Sequence, residues 1–219
     1  DVFNMKIFLD TADVNQIQTR LGTGLIDGIT TNPTLIMKSH RKPDDVYQEL
    51  VVMGLKDISM EVVGNAPEMI NEGLRLVDLF GDNATIKVPC TPDGLAACRE
   101  LAKNHHIRVN VTLIFNSAQA VMASKAGATY VSPFVGRLVD NSISGTGAVK
   151  YIADLYNKQS VETQIIAASI RDVHSVTECF MAGANICTIP PSIFDLMYGH
   201  VLTDVGINQF NKDYEAVKW

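Results

Sequence analysis

The sequence predicts an α/β fold, a single (β/α)8 TIM barrel with an additional helix at its C-terminal end. Two observations predict it: eight short apolar, β-branched segments recur along the 219 residues, and segments with helical spacing separate them. Neither a linker nor a change in composition divides the chain, so we expect residues 1–219 to form one domain. A doubly wound open sheet is the alternative, but no G-x-G-x-x-G motif follows any of the eight segments.

The eight predicted strands alternate with helical segments along the whole chain. In order, the strands are MKIFLDT, LIDGITTN, DISMEVVG, ATIKVPCT, IRVNVTLIF, TYVSPFVG, TQIIAASI and ANICTIPP. The segment APEMINEGLRLVDLFG, between the third and fourth strands, has the spacing of an amphipathic helix. It directs Met69, Leu74, Val77 and Phe80 toward one side, which we expect to face the barrel.

A further helical stretch follows the eighth unit and ends the chain. Within TDVGINQFNKDYEAVKW, the residues Phe210, Tyr214 and Val217 lie on one stripe. We assign residues 202–219 to this helix and expect its apolar stripe to dock, either across its own barrel or on a neighbouring subunit. At the other end, we interpret residues 1–4 (DVFN) as a cloning remnant, since MKIFLDT looks like a natural start.

Composition narrows the classes of function. The formal charge of −6 argues against a nucleic-acid-binding surface, and the apolar runs are too short for a membrane span. No N-terminal stretch has the pattern of a signal peptide. The four cysteines (Cys90, Cys98, Cys179 and Cys187) form no C-x-x-C pair and have no histidine at ligand spacing. We therefore expect packing thiols in a reducing cytoplasm and no metal site.

Polar residues interrupt the predicted strands with a common parity. Because side chains alternate along a strand, residues two apart share a face. The polar residues on this face, in strand order, are Asp10, Thr30, Asn32, Ser59, Glu61, Thr85, Lys87, Asn110, Thr112, Ser132, Ser169 and Arg171. We place all of them in the later part of their strands, at the end where a barrel carries its active site.

Each of these residues also has a purely structural interpretation. Asn32 before Pro33 is an ordinary helix N-cap, and Asp10 could cap the first helix. Glu61 or Lys87 could be half of a buried salt bridge. Polar groups from seven strands at one end of the barrel are harder to explain by packing, so we favour a functional site.

Lys87 interrupts an apolar run in ATIKVPCT, and its chemistry suggests an activity. Burial in a mostly apolar cavity disfavours the charged form of an amine, and a neutral amine attacks a carbonyl to form an imine. The protonated imine accepts the electron pair that is released when a neighbouring carbon–carbon bond breaks. This chemistry requires neither a metal nor an organic cofactor, so we expect no cofactor.

The other polar residues can be matched to the remaining steps. Glu61 could exchange protons with a water that Thr112 also holds, and Asp10 is the carboxylate left to remove a hydroxyl proton. Amide and hydroxyl groups suited to fixing the hydroxyls of a polyol are Asn32, Asn110 and Ser132. Arg137, Ser169 and Arg171, which follow the sixth and seventh strands, form a candidate anion clamp.

Several of these segments resemble the transaldolase family, specifically its short members, which include the fructose-6-phosphate aldolases. The segments FLDTAD, GITTNPTLI, IKVPCTPDGLAA, VNVTLIF, SPFVGR and AASIRD carry the resemblance, which runs from Met5 to the C-terminal tail. It implies Lys87 as the Schiff-base residue and Asp10 as the acid/base at the cleaved bond. It also implies that Thr30, Asn32, Asn110 and Ser132 position the substrate, and that Arg137, Ser169 and Arg171 bind a sugar phosphate.

Two positions separate the branches of this family. The aldolases carry Gln where this chain has Glu61 and Tyr where it has Phe134, whereas the transaldolases carry Glu and Phe. The resemblance therefore implies transfer of a dihydroxyacetone unit between sugar phosphates, as between sedoheptulose 7-phosphate and glyceraldehyde 3-phosphate in the pentose phosphate pathway. The alternative is a fructose-6-phosphate aldolase that releases free dihydroxyacetone.

The resemblance also implies an assembly and leaves two competing hypotheses. Short members of the family form pentameric rings that pair into decamers, with the C-terminal helix reaching a neighbour. The longer transaldolases have insertions that are absent here, which affects the expected loop contacts and oligomer geometry. A barrel that binds sugar phosphate without catalysis and a metal-dependent aldolase are the competing hypotheses.

Overall fold

The barrel is closed and built from eight parallel strands. The structure, a computed structural model, describes residues 5–217. The strands are β1 (Lys6–Asp10), β2 (Gly28–Thr30), β3 (Ile58–Glu61), β4 (Ala84–Pro89), β5 (Val109–Ile114), β6 (Tyr130–Pro133), β7 (Gln164–Ala167) and β8 (Ile186–Ile189). Each strand pairs with the next in chain order, and β8 pairs with β1. The predicted eight-stranded barrel is confirmed, and the open sheet is excluded.

Helices cover the outside of the barrel. They are α1 (Val14–Leu21), α2 (Pro33–Ser39), α3 (Pro43–Val52), α4 (Ala66–Phe80), α5 (Pro92–Arg99), α6 (Ser117–Ala126), α7 (Val135–Asp140), α8 (Gly145–Lys158), α9 (Val173–Met181), α10 (Pro191–Leu196) and α11 (Val201–Val217). Side chains next to the first turn cap several of these helices. Asn65 and Glu68 form a reciprocal capping box at the N-terminus of α4, and the side chain of Asn116 caps α6. None of the helices within residues 5–217 has the length and apolar character needed to cross a bilayer.

The main hydrophobic core lies between the strands and the surrounding helices, whereas the apolar part of the barrel interior is small. Inside the barrel, Phe8, Tyr130, Ile166 and Ile186 form a separate buried cluster. The ring of Phe8 lies so close to Gly28 that a Cβ on Gly28 would come within 2.7 Å of it. Gly28 is therefore required by close packing. Much of the remaining interior is lined by polar side chains.

Helix α4 buries a slightly different face from the one that its sequence predicts. Met69 and Phe80 are buried as expected, but Leu74 and Val77 are only partly buried. Gly73 and Leu76 take the centre of the buried face instead. The reason is close packing: a Cβ on Gly73 would lie 3.0 Å from a methyl carbon of Leu101, so the helix approaches its neighbour through the glycine.

Helix α11 leaves its apolar side chains in solvent. None of the α11 residues that the structure describes is buried, and Phe210 is 72 % exposed. Within the described residues, α11 therefore does not pack across its own barrel, which was one of the two predicted positions. Residues 1–4, interpreted above as a cloning remnant, and residues 218–219 of the predicted helix lie outside the described residues.

Candidate active site

Lys87 points into the barrel from β4 and is almost completely buried. Its side chain is 6 % exposed, and its Nζ donates a hydrogen bond to the carbonyl of Thr31 at 3.0 Å. The carboxylate Oε2 of Glu61, on the neighbouring strand β3, lies 3.4 Å from the same Nζ. The expected mostly apolar surroundings are thus wrong for the amine itself, because a carbonyl and a carboxylate face it. A carboxylate is therefore in place to exchange a proton with the amine.

Asp10 is the second buried carboxylate at this end of the barrel. Its Oδ1 accepts a hydrogen bond from the hydroxyl of Thr30 at 2.9 Å. Burial raises the pKa of Asp10 above its ordinary value, and the charge of Lys87 and the bond from Thr30 offset part of that rise. The Thr30 hydroxyl also contacts the hydroxyl of Thr188 on β8. Asp10 is therefore positioned by a threonine and poised to take up a proton.

Thr188 is a site residue that the sequence analysis missed. It lies on β8 in register with Phe8 and lines the same cavity as Asp10. The parity rule was applied to seven strands. Extending it to the later part of the eighth, ANICTIPP, would have found Thr188.

Asn110 and Ser132 are coupled to each other at the bottom of the site. The hydroxyl of Ser132 donates to Asn110 Oδ1 at 2.7 Å, and Asn110 Nδ2 donates to Ser59 Oγ at 3.2 Å. All three side chains are buried. Asn110 is therefore held in one orientation by Ser132 on the adjacent strand β6 and by Ser59 on β3, which lies beyond β4.

Asn32 and Thr112 have different environments. Asn32 caps α2, since its Oδ1 accepts from the backbone N–H of Leu35 at 2.9 Å, and it also lines the cavity. The capping interpretation is confirmed, and it leaves the amide nitrogen facing other partners. Thr112 is buried on β5, and its hydroxyl has no hydrogen-bond partner within the described part of the chain. A buried hydroxyl without a partner is costly, which marks this atom as a contact point for a ligand or water.

Helix α7, which follows β6, and the loop after β7 hold Arg137 and Ser169 close together. The guanidinium of Arg137 lies 5.0 Å from the ring centroid of Phe134, which packs against Phe115. Ser169 has a left-handed backbone (φ 55°), and its carbonyl accepts from the N–H of Gly136 at 2.8 Å. A Cβ on Gly136 would lie 2.1 Å from that carbonyl oxygen, so a glycine is needed here.

Arg171 does not line the cavity with the other members of the predicted clamp. Its guanidinium pairs with the carboxylate of Asp140, the last residue of α7, and its side chain is 54 % exposed. This pairing holds the pKa of Asp140 below its usual range. The structure therefore brings Arg137 and Ser169 to the site, while Arg171 lies at its outer edge.

The side chains near the barrel mouth enclose a polar cavity of about 130 Å³, which we call the sugar cavity after the substrate class expected from the sequence. It is lined by Asp10, Thr30, Asn32, Lys87, Ser132, Phe134, Arg137, Ala168, Ser169 and Thr188. Eight of these ten residues belong to the set predicted from sequence; Ala168 and Thr188 are the additions. A lysine, a carboxylate, several neutral hydrogen-bonding groups and a guanidinium thus converge on one small space.

Thr85 lies elsewhere, and its predicted place near the mouth is wrong. Its hydroxyl donates to Asp57 Oδ1 at 2.7 Å and accepts from Arg108 Nε at 3.0 Å. The hydroxyl of Tyr130 donates to the other oxygen of Asp57, also at 2.7 Å. Thr85 is the second residue of β4, so although it shares the face of Lys87 it belongs to the opposite, N-terminal end of the barrel.

Fold and site together define a class: (β/α)8 barrels with a buried lysine and two carboxylates at the C-terminal mouth. The chain belongs to the transaldolase/fructose-6-phosphate aldolase family, whose pattern it matches over residues 7–218. It is 46 % identical over 211 residues to a probable transaldolase of Paracoccus denitrificans, covering 96 % of each chain. It is 45 % identical over 216 residues to a probable transaldolase of Nitrosopumilus maritimus, covering 98 % of this chain and 96 % of that one. A probable transaldolase of Aquifex aeolicus is 44 % identical over 214 residues, 97 % and 98 % of the two chains.

Proposed function

We propose that this protein is a transaldolase that moves a dihydroxyacetone unit from a ketose phosphate to an aldose phosphate through a Schiff base on Lys87. Family membership supports activity of the transaldolase type. The observation that carries the proposal is the composition of the sugar cavity around Lys87, with Glu61 beside the amine and Phe134 in the wall. The remaining groups can then be assigned to successive steps.

The first step joins the substrate to the enzyme. Glu61 takes the proton of Lys87, and the neutral amine attacks the ketose carbonyl. The resulting carbinolamine loses its hydroxyl as water when Glu61 returns the proton, which leaves a protonated imine. The hydroxyl of Thr112, which has no partner among residues 5–217, suits a contact to this water. Hydrolysis at the end of the cycle runs through the same groups in reverse.

The second step breaks the carbon–carbon bond. Asp10 removes the proton from the hydroxyl next to the scissile bond, the bond electrons move into the imine, and an aldose phosphate leaves. The raised pKa of Asp10 suits a group that accepts a proton and later returns it. Thr30 holds the carboxylate through one of its oxygens, which leaves the other for the substrate hydroxyl.

Substrate recognition follows from the remaining cavity walls. We assign the ketose hydroxyls to Asn32 and Ser132 of the cavity wall, together with Asn110, which bonds to Ser132 without lining the cavity. We assign the phosphate to Arg137 and Ser169. Arg171 pairs with Asp140 through one guanidinium nitrogen and does not line the cavity, so we assign it a peripheral part in phosphate binding. The substrates would thus be sugar phosphates of the pentose phosphate pathway, such as fructose 6-phosphate with erythrose 4-phosphate, and we expect the enzyme to act in the cytoplasm.

Phe134 favours transfer over release. After cleavage, the enamine on Lys87 is freed as dihydroxyacetone only when its carbon is protonated and the imine is hydrolysed. The ring of Phe134 carries no hydroxyl, and it packs against Phe115 and Arg137. An enamine beside this apolar wall waits for an acceptor aldehyde. A fructose-6-phosphate aldolase remains the second candidate, because the family contains both activities.

Dependence on an acceptor separates the two activities. Fructose 6-phosphate and erythrose 4-phosphate should give sedoheptulose 7-phosphate, whereas omission of erythrose 4-phosphate should almost stop consumption of the donor. Efficient release of dihydroxyacetone without acceptor would assign the chain to the aldolases. Borohydride reduction in the presence of fructose 6-phosphate should attach a fragment to Lys87, and failure to trap one would leave a binding barrel as the better description.

Oligomer formation is proposed from the exposed helix α11. Its apolar side chains, among them Val201, Leu202, Val205 and Phe210, are each more than half exposed. By resemblance to the short members of the family, this face would cover a neighbouring subunit in a pentamer or decamer. Light scattering coupled to gel filtration tests this, since a monomeric particle of 23.9 kDa would contradict it.

A further inference from the structure

A second cavity approaches the reactive lysine from outside the barrel. It is a mostly apolar groove of about 550 Å³ between α2, α3 and α4. Its walls include Ile36, Met37, Tyr47, Val63 and Leu76, and Glu61 lies at its inner end. We call it the Glu61 groove.

Glu61 and Lys87 face different cavities although they are neighbours. Lys87 lines the sugar cavity, and Glu61 lines the Glu61 groove without lining the sugar cavity. Only 3.4 Å separates Lys87 Nζ from Glu61 Oε2. The ion pair therefore forms the partition between the two spaces. Of the two catalytic carboxylates proposed above, Asp10 meets the sugar and Glu61 meets the groove.

An ion-pair network fixes the outer edge of this groove. Arg75 on α4 forms a bidentate contact with Asp44 on α3, with distances of 2.8 and 2.9 Å. The same guanidinium contacts Glu72 at 2.8 and 2.7 Å. The network joins α3 to α4, and Met37 and Val63, each 66 % exposed, line the opening.

The proposed reaction needs water on the Glu61 side of the imine. Each turnover expels one water when the imine forms and consumes one when it is hydrolysed. A ketose joined to Lys87 occupies the sugar cavity, which obstructs water arriving from that direction. The groove reaches Glu61, the group that exchanges protons with this water, without passing the sugar.

We propose that the Glu61 groove is the path by which the reaction water enters and leaves, separate from the path of the sugars. The step balances as follows: the neutral amine of Lys87, the ketose carbonyl and one proton from Glu61 give a protonated imine and one water. The inference rests on the proposed Schiff-base function. It assigns a role in water access to Val63 and Met37, which line the Glu61 groove and do not line the sugar cavity.

The test blocks the groove and follows oxygen exchange. Fructose 6-phosphate labelled with 18O at its carbonyl loses the label whenever the imine forms and is hydrolysed, and mass spectrometry measures the loss above the uncatalysed rate. Val63→Trp and, independently, Met37→Trp should slow this loss by roughly fivefold or more. Val63→Ala should not slow it. Val52→Trp makes the same substitution at a 77 % exposed valine outside the groove and is the matched control.

Affinity for a hexitol 6-phosphate, which cannot form an imine, reports damage to the sugar cavity. It should be unchanged in the blocked variants. Label loss at the wild-type rate in both tryptophan variants, or a fall matched by an equal loss of hexitol phosphate affinity, would overturn the proposal. Failure to trap any adduct on wild-type Lys87 would instead overturn the proposed function, so the two failures can be told apart.

Discussion

The two ends of the barrel interior are both polar, and they differ in how completely their polar groups are paired. At the N-terminal end, Asp57 receives hydrogen bonds from Thr85 and Tyr130 on its two oxygens. Arg108 donates to Thr85 and to two backbone carbonyls. Burial and the neighbouring carboxylate hold the pKa of Tyr130 well above its usual range, so its hydroxyl stays a donor.

At the C-terminal mouth, the polar groups are less completely paired. The Lys87–Glu61 contact is 3.4 Å long, and the hydroxyl of Thr112 has no partner among the described residues. Asp10 keeps a raised pKa despite the nearby lysine. The comparison teaches that polarity inside a barrel does not identify an active site by itself. The active site is distinguished by buried polar and charged groups that lack a full set of partners. Such groups lower the stability of the fold, and they remain able to bind a substrate.

Removal of the amine should produce the largest effect on activity. Lys87→Met keeps the length and apolar stem of the side chain but cannot form an imine, so transfer should fall by roughly 10³-fold or more. The coupled transfer assay measures the loss, and borohydride with fructose 6-phosphate should then add no mass to the protein. A variant that kept a trapped adduct would show that another lysine is the Schiff-base residue.

Asp10→Asn should abolish most activity and yet stabilise the protein. Loss of the base should lower the transfer rate by roughly 10² to 10⁴-fold. Burial dominates the rise in the pKa of Asp10, so the folded state favours the protonated carboxyl. A raised carboxyl pKa contributes stability below the unfolded value of 3.8, and that contribution is lost as the pH rises through the folded pKa. The neutral amide avoids this loss.

Thermal unfolding at two pH values tests whether Asp10→Asn raises or lowers the stability of the protein. The gain in Tm of Asp10→Asn over wild type should be larger at pH 8 than near pH 4, because the cost of burying Asp10 grows as its carboxyl ionises. A variant that is less stable than wild type at pH 8 would mean that attraction to Lys87 outweighs the burial of Asp10. The acidic limb of the wild-type transfer rate should likewise lie above the ordinary carboxyl range.

At the N-terminal end the effect should fall on stability instead. Asp57→Ala removes the acceptor of two buried hydroxyls, which should cost about 2–4 kcal/mol. For a domain of this size, Tm should fall by roughly 5–15 °C. The transfer rate of the folded variant should stay within a few-fold of wild type. Asp57→Asn, which keeps one acceptor oxygen and the volume, is the matched control and should lose less. A large loss of activity at full stability would contradict the comparison.

The repeating strand pattern was sufficient to predict the barrel and most of the sugar cavity. Parity correctly placed Asp10, Lys87 and Ser132 on the inner face. It could not separate the two ends of one strand, because Thr85 and Lys87 share that face and differ only in depth along β4. Depth depends on the register between strands, which only the closed sheet defines.

Long side chains were less predictable than strand residues. Arg171 lies two residues beyond Ser169, yet its guanidinium reaches away to Asp140. Its several rotatable bonds allow alternatives between which sequence spacing cannot choose. The surroundings of Lys87 were also misjudged, because the carbonyl of Thr31 belongs to the backbone and leaves no trace in residue types.

The pairing of Arg171 with Asp140 gives the smallest predicted effect. If a substrate phosphate competes with Asp140 for this guanidinium, Asp140→Asn should lower the KM for fructose 6-phosphate by at most about fivefold, since exposed ion pairs are weak. The KM for an unphosphorylated ketose should not change. Asp195→Asn removes a carboxylate that is as exposed as Asp140 and that also pairs with an arginine, Arg20, so it controls for the loss of a surface charge. An equal change in KM for both ketoses would mean that Asp140 acts through the fold of α7. It would then not compete with the substrate phosphate for Arg171.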